Sequence, residues 1–146
     1  MPVPQTHSAL REGTVLGLIV ATAIWLWLAV VDGLAGQPFR TFQVLGGVGF
    51  FTVLHYLLSV AYGIVAVAVV HGAARAPSLL VFAAFCFFIL EFAFVMATVL
   101  LSNVGLGQLA WLRILGGNVI GAVLTFAVLL RGHPLKREFE AADREE

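Results

Sequence analysis

Between Thr41 and Leu130, a stretch of ninety residues carries only three charged side chains, Arg75, Glu91 and Arg113. The remainder is rich in Leu, Val, Ile, Ala and Phe. A water-soluble domain of this size exposes too much of its surface to hide so many apolar side chains. Lipid is therefore the expected solvent, and the sequence predicts a protein of the cell membrane, which would be the cytoplasmic membrane in a bacterium.

The overall composition narrows the function classes. Charged residues make up 11% of the 146-residue chain, against about 25% in ordinary globular domains. The net charge of zero gives no reason to expect nucleic acid as a partner. Cys86 is the single cysteine, so one chain has neither an internal disulfide nor a thiolate metal cluster. No catalytic or nucleotide-binding signature is present in the sequence, and we expect neither an enzyme nor a bound cofactor or metal.

Four apolar runs are long enough to cross a membrane as helices, because about 20 residues span roughly 30 Å of hydrocarbon. The first run exceeds the apolar core of about 7–15 residues in a signal peptide, so a retained helix is favoured over a cleaved one. The sequence predicts an all-α, up-down-up-down four-helix membrane bundle. We place its spans within a single domain, 1–146, at residues 13–32, 48–71, 79–101 and 108–130, with a charged tail at 131–146.

The distribution of charged and aromatic residues predicts the orientation. With both termini in the cytoplasm, the inner segments hold six basic residues and the outer loops hold only Arg40, as the positive-inside rule requires. Trp25, Trp27 and Trp111 then lie toward the outer interface, where indole rings are enriched. In the loop after the first span, Phe39 and Phe42 recur at helical spacing. They indicate either a short interfacial helix or an irregular loop.

Polar residues inside the spans fall at matching depths. When each hairpin is folded about the centre of its loop, Glu91 matches Asn118 and Ser59, and Ser59 matches Thr22. Polar groups in lipid are costly and need partners or a purpose. The sequence therefore predicts an intramembrane polar layer near mid-bilayer, with one residue from each span.

A polar stripe also follows one face of the second span. Its members are spaced by three, four and three residues, which places them on one side of a helix. They are Thr52, His55, Ser59 and Tyr62. A bis-histidine haem would need a second intramembrane histidine, which only another copy of the chain supplies, so we favour a structural hydrogen bond for His55.

Small residues on two spans recur at the spacing that lets helix backbones approach closely in membranes. We predict that they mediate helix packing. They are Gly13, Gly17 and Ala21 in the first span, and Gly117 and Gly121 in the fourth.

Glu91 and Arg113 are the charged residues whose roles the sequence constrains most. Hydrocarbon penalises a charged carboxylate, so we expect Glu91 to be neutral, either as a structural hydrogen-bonding group or as a proton-binding site. A helical side chain leans toward its own N-terminus. Arg113 is therefore predicted to extend to the outer headgroups near Asp32, as an interfacial residue, rather than to pair with Glu91.

In length and span number the chain resembles the small multidrug transporters, dimeric four-span proteins with an essential glutamate in the first span. Here the glutamate, Glu91, lies in the third span, and the sequence is not assigned to that family. We expect a non-enzymatic subunit that contacts membrane lipids and either further copies of itself or other membrane subunits. One alternative is a proton-coupled transporter or proton-conducting subunit centred on Glu91 and His55. Another is a subunit that binds a quinone, haem or pigment in an electron-transfer complex, with the phenylalanines of the third span as a groove.

Overall fold

The computed structural model describes residues 6–73 and 78–132, and the elements in this part of the chain are all helical. The prediction of an all-helical chain is confirmed for these residues. The α-helices are α1 (Thr6–Leu34), α2 (Arg40–Val44), α3 (Val48–Ala73), α4 (Ser78–Leu101) and α5 (Gly116–Gly132). Between α4 and α5 lies an irregular segment, residues 102–115, with π-helical turns at Ser102–Leu106 and Trp111–Leu115 and a 3-10 turn at Gly107–Leu109.

Four helical stretches are long and apolar enough to cross a membrane, as the sequence predicts. They are Ala9–Leu34, Val48–Gly72, Val81–Leu109 and Trp111–Arg131. The third and fourth stretches include parts of the irregular segment, where Gly105 and Gly107 have non-helical backbone angles and the chain turns back toward α5. The predicted inner-loop residue Arg75 and all of the charged tail beyond Gly132 lie outside the described residues.

Helix α1 packs most extensively of all, against α3 along its length and against α5. A side chain at Gly17 would overlap the Ser59 carbonyl oxygen of α3, and one at Gly13 would overlap the Ile64 backbone. Because contacts that advance along α1 recede along α3, the two helices run antiparallel. Glycine is needed here since any Cβ would push the two backbones apart.

The packing of α5 on α1 also depends on small residues. A Cβ at Gly121 would lie 2.9 Å from Ile24 Cδ1, and one at Gly117 would lie 3.3 Å from Ile24 Cγ2. Leu16 and Val20 of α1 belong to the buried core that α5 helps to cover. The apolar side chains of α1 thus fill the space that the glycines of α5 leave open.

Helix α4 is peripheral. It packs on α3 and on the turn Trp111–Leu115, but only sparsely on α5. Its large apolar side chains are exposed on several faces, including Val81, Phe82, Phe85, Phe88, Phe92 and Leu100. In a membrane, these side chains would face lipid or a neighbouring protein.

The sequence leaves two alternatives for the loop after α1, a short helix or an irregular loop. The structure has a short helix there, α2. Phe42 is fully buried, with its ring centroid 5.1 Å from those of Trp25 and Phe51. The consecutive residues Gly46 and Gly47 follow α2 with φ angles of 106° and 97°, which favour glycine because it lacks a Cβ. This turn folds α2 back onto the ends of α1 and α3, and we call this end of the bundle the α2 end.

Candidate functional site

At the α2 end, Asp32, Thr41 and Arg113 form a fully buried charge cluster. Arg113 Nε lies 2.7 Å from Asp32 Oδ1, and the two side chains are 1% and 0% exposed. Thr41 donates its backbone N–H to Asp32 Oδ2 and its hydroxyl to Asp32 Oδ1, each at 2.7 Å. Arg113 Nη1 donates to the Leu106 carbonyl at 3.0 Å. The cluster therefore joins α1, α2, the irregular segment and the start of the fourth span.

Asp32 is placed by its partners rather than by α1 alone. A carboxylate near a helix C-terminus opposes the helix dipole, and Arg113 compensates this unfavourable position. Asp32 also satisfies a backbone N–H in the first turn of α2, one of the donors that lack a partner within a helix. Phe39 precedes α2 without a capping side-chain bond. Asp32 thus provides the cap from nine residues away.

The π-helical turn Trp111–Leu115 explains why Arg113 points inward. Such a turn inserts an extra residue and changes the direction of the side chains around it. Trp27 Nε1 donates to the Leu112 carbonyl at 3.1 Å, and a Cβ at Gly116 would lie 2.9 Å from the Trp27 ring. Arg113 does extend toward the side on which Asp32 lies, but it is buried there. The sequence predicts that Arg113 extends to the outer headgroups. It is buried instead, because Asp32 supplies a counter-charge inside the bundle.

The polar stripe of α3 meets α1 through hydrogen bonds. Trp25 Nε1 donates to Thr52 Oγ1 at 2.9 Å. His55 Nε2 lies 3.2 Å from the carbonyl oxygen of Ala21, a residue with no exposed surface. The His55 ring also stacks on Phe51, with centroids 5.1 Å apart. These contacts make a structural joint between α1 and α3.

Other polar residues near this joint take different positions. Ser59 is buried where Gly17 crosses α3, and Tyr62 is half-buried. The Thr22 hydroxyl lies 2.9 Å from the Tyr56 hydroxyl. Tyr56 is not among the residues predicted from the sequence. It follows His55 directly and therefore lies outside the polar stripe, whose members are three or four residues apart. Thr125, one turn from Gly121, donates to the Gly121 carbonyl.

Glu91 lies on the α4 face directed toward α5. Asn118 Nδ2 donates to Glu91 Oε2, so the two residues predicted at one depth do contact each other. In the same part of the bundle, the rings of Phe87 and Phe126 lie 6.4 Å apart. Both the polar and the aromatic contact run from α4 to α5 in antiparallel order. Glu91 is half-buried, unlike the exposed Phe88 and Phe92 beside it.

Among the described residues, hydrogen bonds join only two members of the predicted four-residue layer, Glu91 and Asn118, and Ser59 lies instead against Gly17. Thr22 contacts Tyr56, and Glu91 contacts Asn118. No hydrogen bond or ion pair among the described residues joins Glu91 to His55, whose partner is Ala21. Glu91 and His55, on which the proton-conducting alternative is centred, therefore contact different helices. Glu91 contacts α5 and His55 contacts α1.

Trp111 and His71 lie outside the clusters described above. Trp111 is 43% exposed, as an interfacial indole would be. His71 lies 3.5 Å from Glu12, at the end of the bundle opposite α2. Within residues 6–73 and 78–132, no group of three or more His, Cys, Asp or Glu side chains is arranged to hold a metal ion.

Comparisons with known proteins give no relative for this chain: no family model, no curated protein and no solved structure matches it. The four apolar helices are compatible, by length and composition, with a small helical membrane protein. Any finer conclusion about its function depends on the contacts described above.

Proposed function

We propose that the chain is a non-catalytic subunit of a larger membrane assembly and that α4 is the helix through which it contacts its neighbours. The observation that carries this proposal is the packing of α4. All four membrane-length helices expose apolar side chains. Helix α1 is joined to α3 and α5 by close glycine contacts, whereas α4 is the least buried of the four. A peripheral helix of this kind is available for contact with another protein.

One face of α4 is suited to close helix packing. Cys86 and Ala93 are exposed and Ala97 is half-buried, and their spacing of seven and four residues places them on one side of the helix. Small residues allow a neighbouring membrane helix to approach closely, where dispersion contacts stabilise the pair. Val81 lies on a different exposed face, so it provides a matched control.

The assembly proposal is tested by the mass of the protein extracted in mild detergent. We expect wild type to migrate as an oligomer or with a co-purified subunit. Ala93→Leu should reduce that species, because the larger side chain would separate the helices, and Val81→Leu should not. If the neighbour is a second copy, oxidation in native membranes should link the two copies through Cys86. A monomeric wild type with no co-purified protein would contradict the proposal.

The proposal includes an up-down-up-down arrangement with both termini in the cytoplasm. The excess of basic residues in the predicted inner segments supports it. Cysteine introduced at Gln43 or Asn103, in a Cys86→Ala background, should react with an impermeant thiol reagent applied outside. Cysteine at Ala141 should react only after the membrane is opened, and the opposite pattern would reverse the orientation.

A second candidate function is proton binding at Glu91 in a transporter or proton-conducting subunit. It is favoured by the half-buried carboxyl group, which has a neutral amide as its partner. A variant that keeps the hydrogen bond but cannot exchange a proton, Glu91→Gln, should then assemble normally and lose function. His55 is not required in this proposal, since its hydrogen bond goes to α1.

A further inference from the structure

Asp32 and Glu91, the two acidic residues within the predicted spans, differ in whether a positive charge lies beside them. Asp32 is compensated by Arg113 and accepts two further bonds from Thr41. Glu91 has a single partner among the described residues, the neutral amide of Asn118. An uncompensated carboxylate in an apolar setting is costly, so it needs either a proton or a cation from outside the chain.

The Glu91–Asn118 pair also has unused acceptors. Glu91 accepts through Oε2 and Asn118 donates through Nδ2. Glu91 Oε1 and Asn118 Oδ1 make no hydrogen bond with any described residue. A free carboxylate oxygen and a free amide oxygen on two hydrogen-bonded residues match a group with two or more N–H donors and a positive charge.

The surroundings of the pair are apolar and open to the bilayer. Phe87 lies one turn from Glu91 on the same face of α4, about 6 Å along the helix axis, and its ring contacts that of Phe126. Since α4 packs only sparsely on α5 and Glu91 is half-buried, the carboxyl group is reachable from between the two helices.

We infer that Glu91 and Asn118, with the Phe87–Phe126 ring pair beside them, form a binding site for a protonated amine that carries an apolar chain. The amine enters from the bilayer in its neutral form. The proton moves from the Glu91 carboxyl group to the amine nitrogen, which gives an ion pair without any further reactant. The ammonium donates to Glu91 Oε1 and Asn118 Oδ1, and the apolar chain extends along the phenylalanines of α4.

A small ligand fits this position better than a helix of another subunit does. Glu91, which contacts Asn118 of α5, shares one face of α4 with the half-buried Phe94 and the buried Thr98, three and seven residues further on. The small-residue face of α4 points elsewhere, so this site does not depend on the assembly proposed above. A partner helix would approach the outside of α4, where the side chain of Glu91 is not presented.

The site is tested by equilibrium dialysis of dodecylamine against the full chain in phosphatidylcholine nanodiscs, with empty nanodiscs as the background. We expect one saturable site per chain in wild type and in the control Asn103→Ala, whose amide contacts only its own helix turn. Glu91→Gln should bind at least tenfold more weakly. Dodecyltrimethylammonium, which has no N–H donor, should bind more weakly than dodecylamine, and dodecanol should show no saturable binding.

Equal saturable binding by wild type and a folded Glu91→Gln would overturn the inference, and so would wild-type uptake equal to that of empty nanodiscs. A second measurement avoids any variant that fails to fold. Dicyclohexylcarbodiimide, an apolar reagent for carboxyl groups, should modify Glu91 in wild type, and dodecylamine should protect it, as measured by the mass of the α4 peptide. Modification without protection refutes the amine site. Modification of the isolated chain but not of the chain in native membranes would instead assign Glu91 to a subunit contact.

Discussion

Removing Asp32 should destabilise the fold more than any change at an exposed polar residue. The substitution Asp32→Leu leaves the guanidinium of Arg113 without its counter-charge, in a position where only 1% of its side chain is exposed. It also removes the acceptor for two donors of Thr41. The expected consequence is that α2 separates from the bundle and the α2 end loosens.

The magnitude follows from the burial of the pair. Breaking a buried ion pair by removing one partner costs about 3–5 kcal/mol, because the other charge stays buried and unpaired. Arg113→Met should cost a similar amount. In the double variant no charge remains, and each of the two unsatisfied donors of Thr41 contributes about 1–3 kcal/mol. The double variant should therefore be more stable than Asp32→Leu, which leaves the same two donors unsatisfied and an unpaired charge in addition.

The assay is reversible unfolding of the four proteins of this cycle in mixed micelles, with increasing sodium dodecyl sulfate, followed by circular dichroism. A coupling free energy is obtained from the cycle as the departure from additivity. Arg131→Met is the control, since Arg131 is exposed near the end of α5, and its free energy of unfolding should equal that of wild type.

The reasoning is refuted if each single variant loses less than about 1 kcal/mol, which is the range of exposed ion pairs. It is also refuted if the double variant loses the sum of the two single effects. Either result would mean that water or headgroups solvate Arg113 and that the pair is not desolvated as the structure has it.

Three further predictions concern single positions, and thermal unfolding in detergent checks each of them. Gly17→Ala should lower the melting temperature sharply because its Cβ overlaps the backbone of α3. Gly33→Ala, with no atom within 4 Å, should be neutral or stabilise by up to about 1 kcal/mol. Similar losses for both variants would mean that Gly17 is not needed for the close packing of α1 on α3. Trp27→Phe removes the hydrogen bond to the Leu112 carbonyl of the π-helical turn and should cost about 0.5–1.5 kcal/mol, while Trp111→Phe, at a 43% exposed position, should change little. Glu91→Ala should be less stable than Glu91→Gln, because only the amide keeps an acceptor for the neighbouring asparagine, and the reverse order would mean that their hydrogen bond is not stabilising.

The sequence by itself determined the class of the protein. A run of ninety residues with three charges favours lipid as its solvent, and the turns that interrupt it leave four helices long and apolar enough to cross a membrane. Helices in lipid satisfy their own backbone hydrogen bonds, so this conclusion needs no tertiary information. The equal depth of Glu91 and Asn118 was also available from the sequence, since depth along a hairpin depends only on the distance from its loop.

The tertiary structure decided where the polar side chains point and which pairs form. The π-helical turn around Arg113 changes the direction of that side chain, and no pattern in the sequence predicts such a turn. Thr22 contacts Tyr56 instead of joining a layer with Glu91, because two helices at the same depth still differ in rotation and separation. Those two quantities depend on packing, here on glycine contacts between α1 and its neighbours, and packing joins residues that are distant in the sequence.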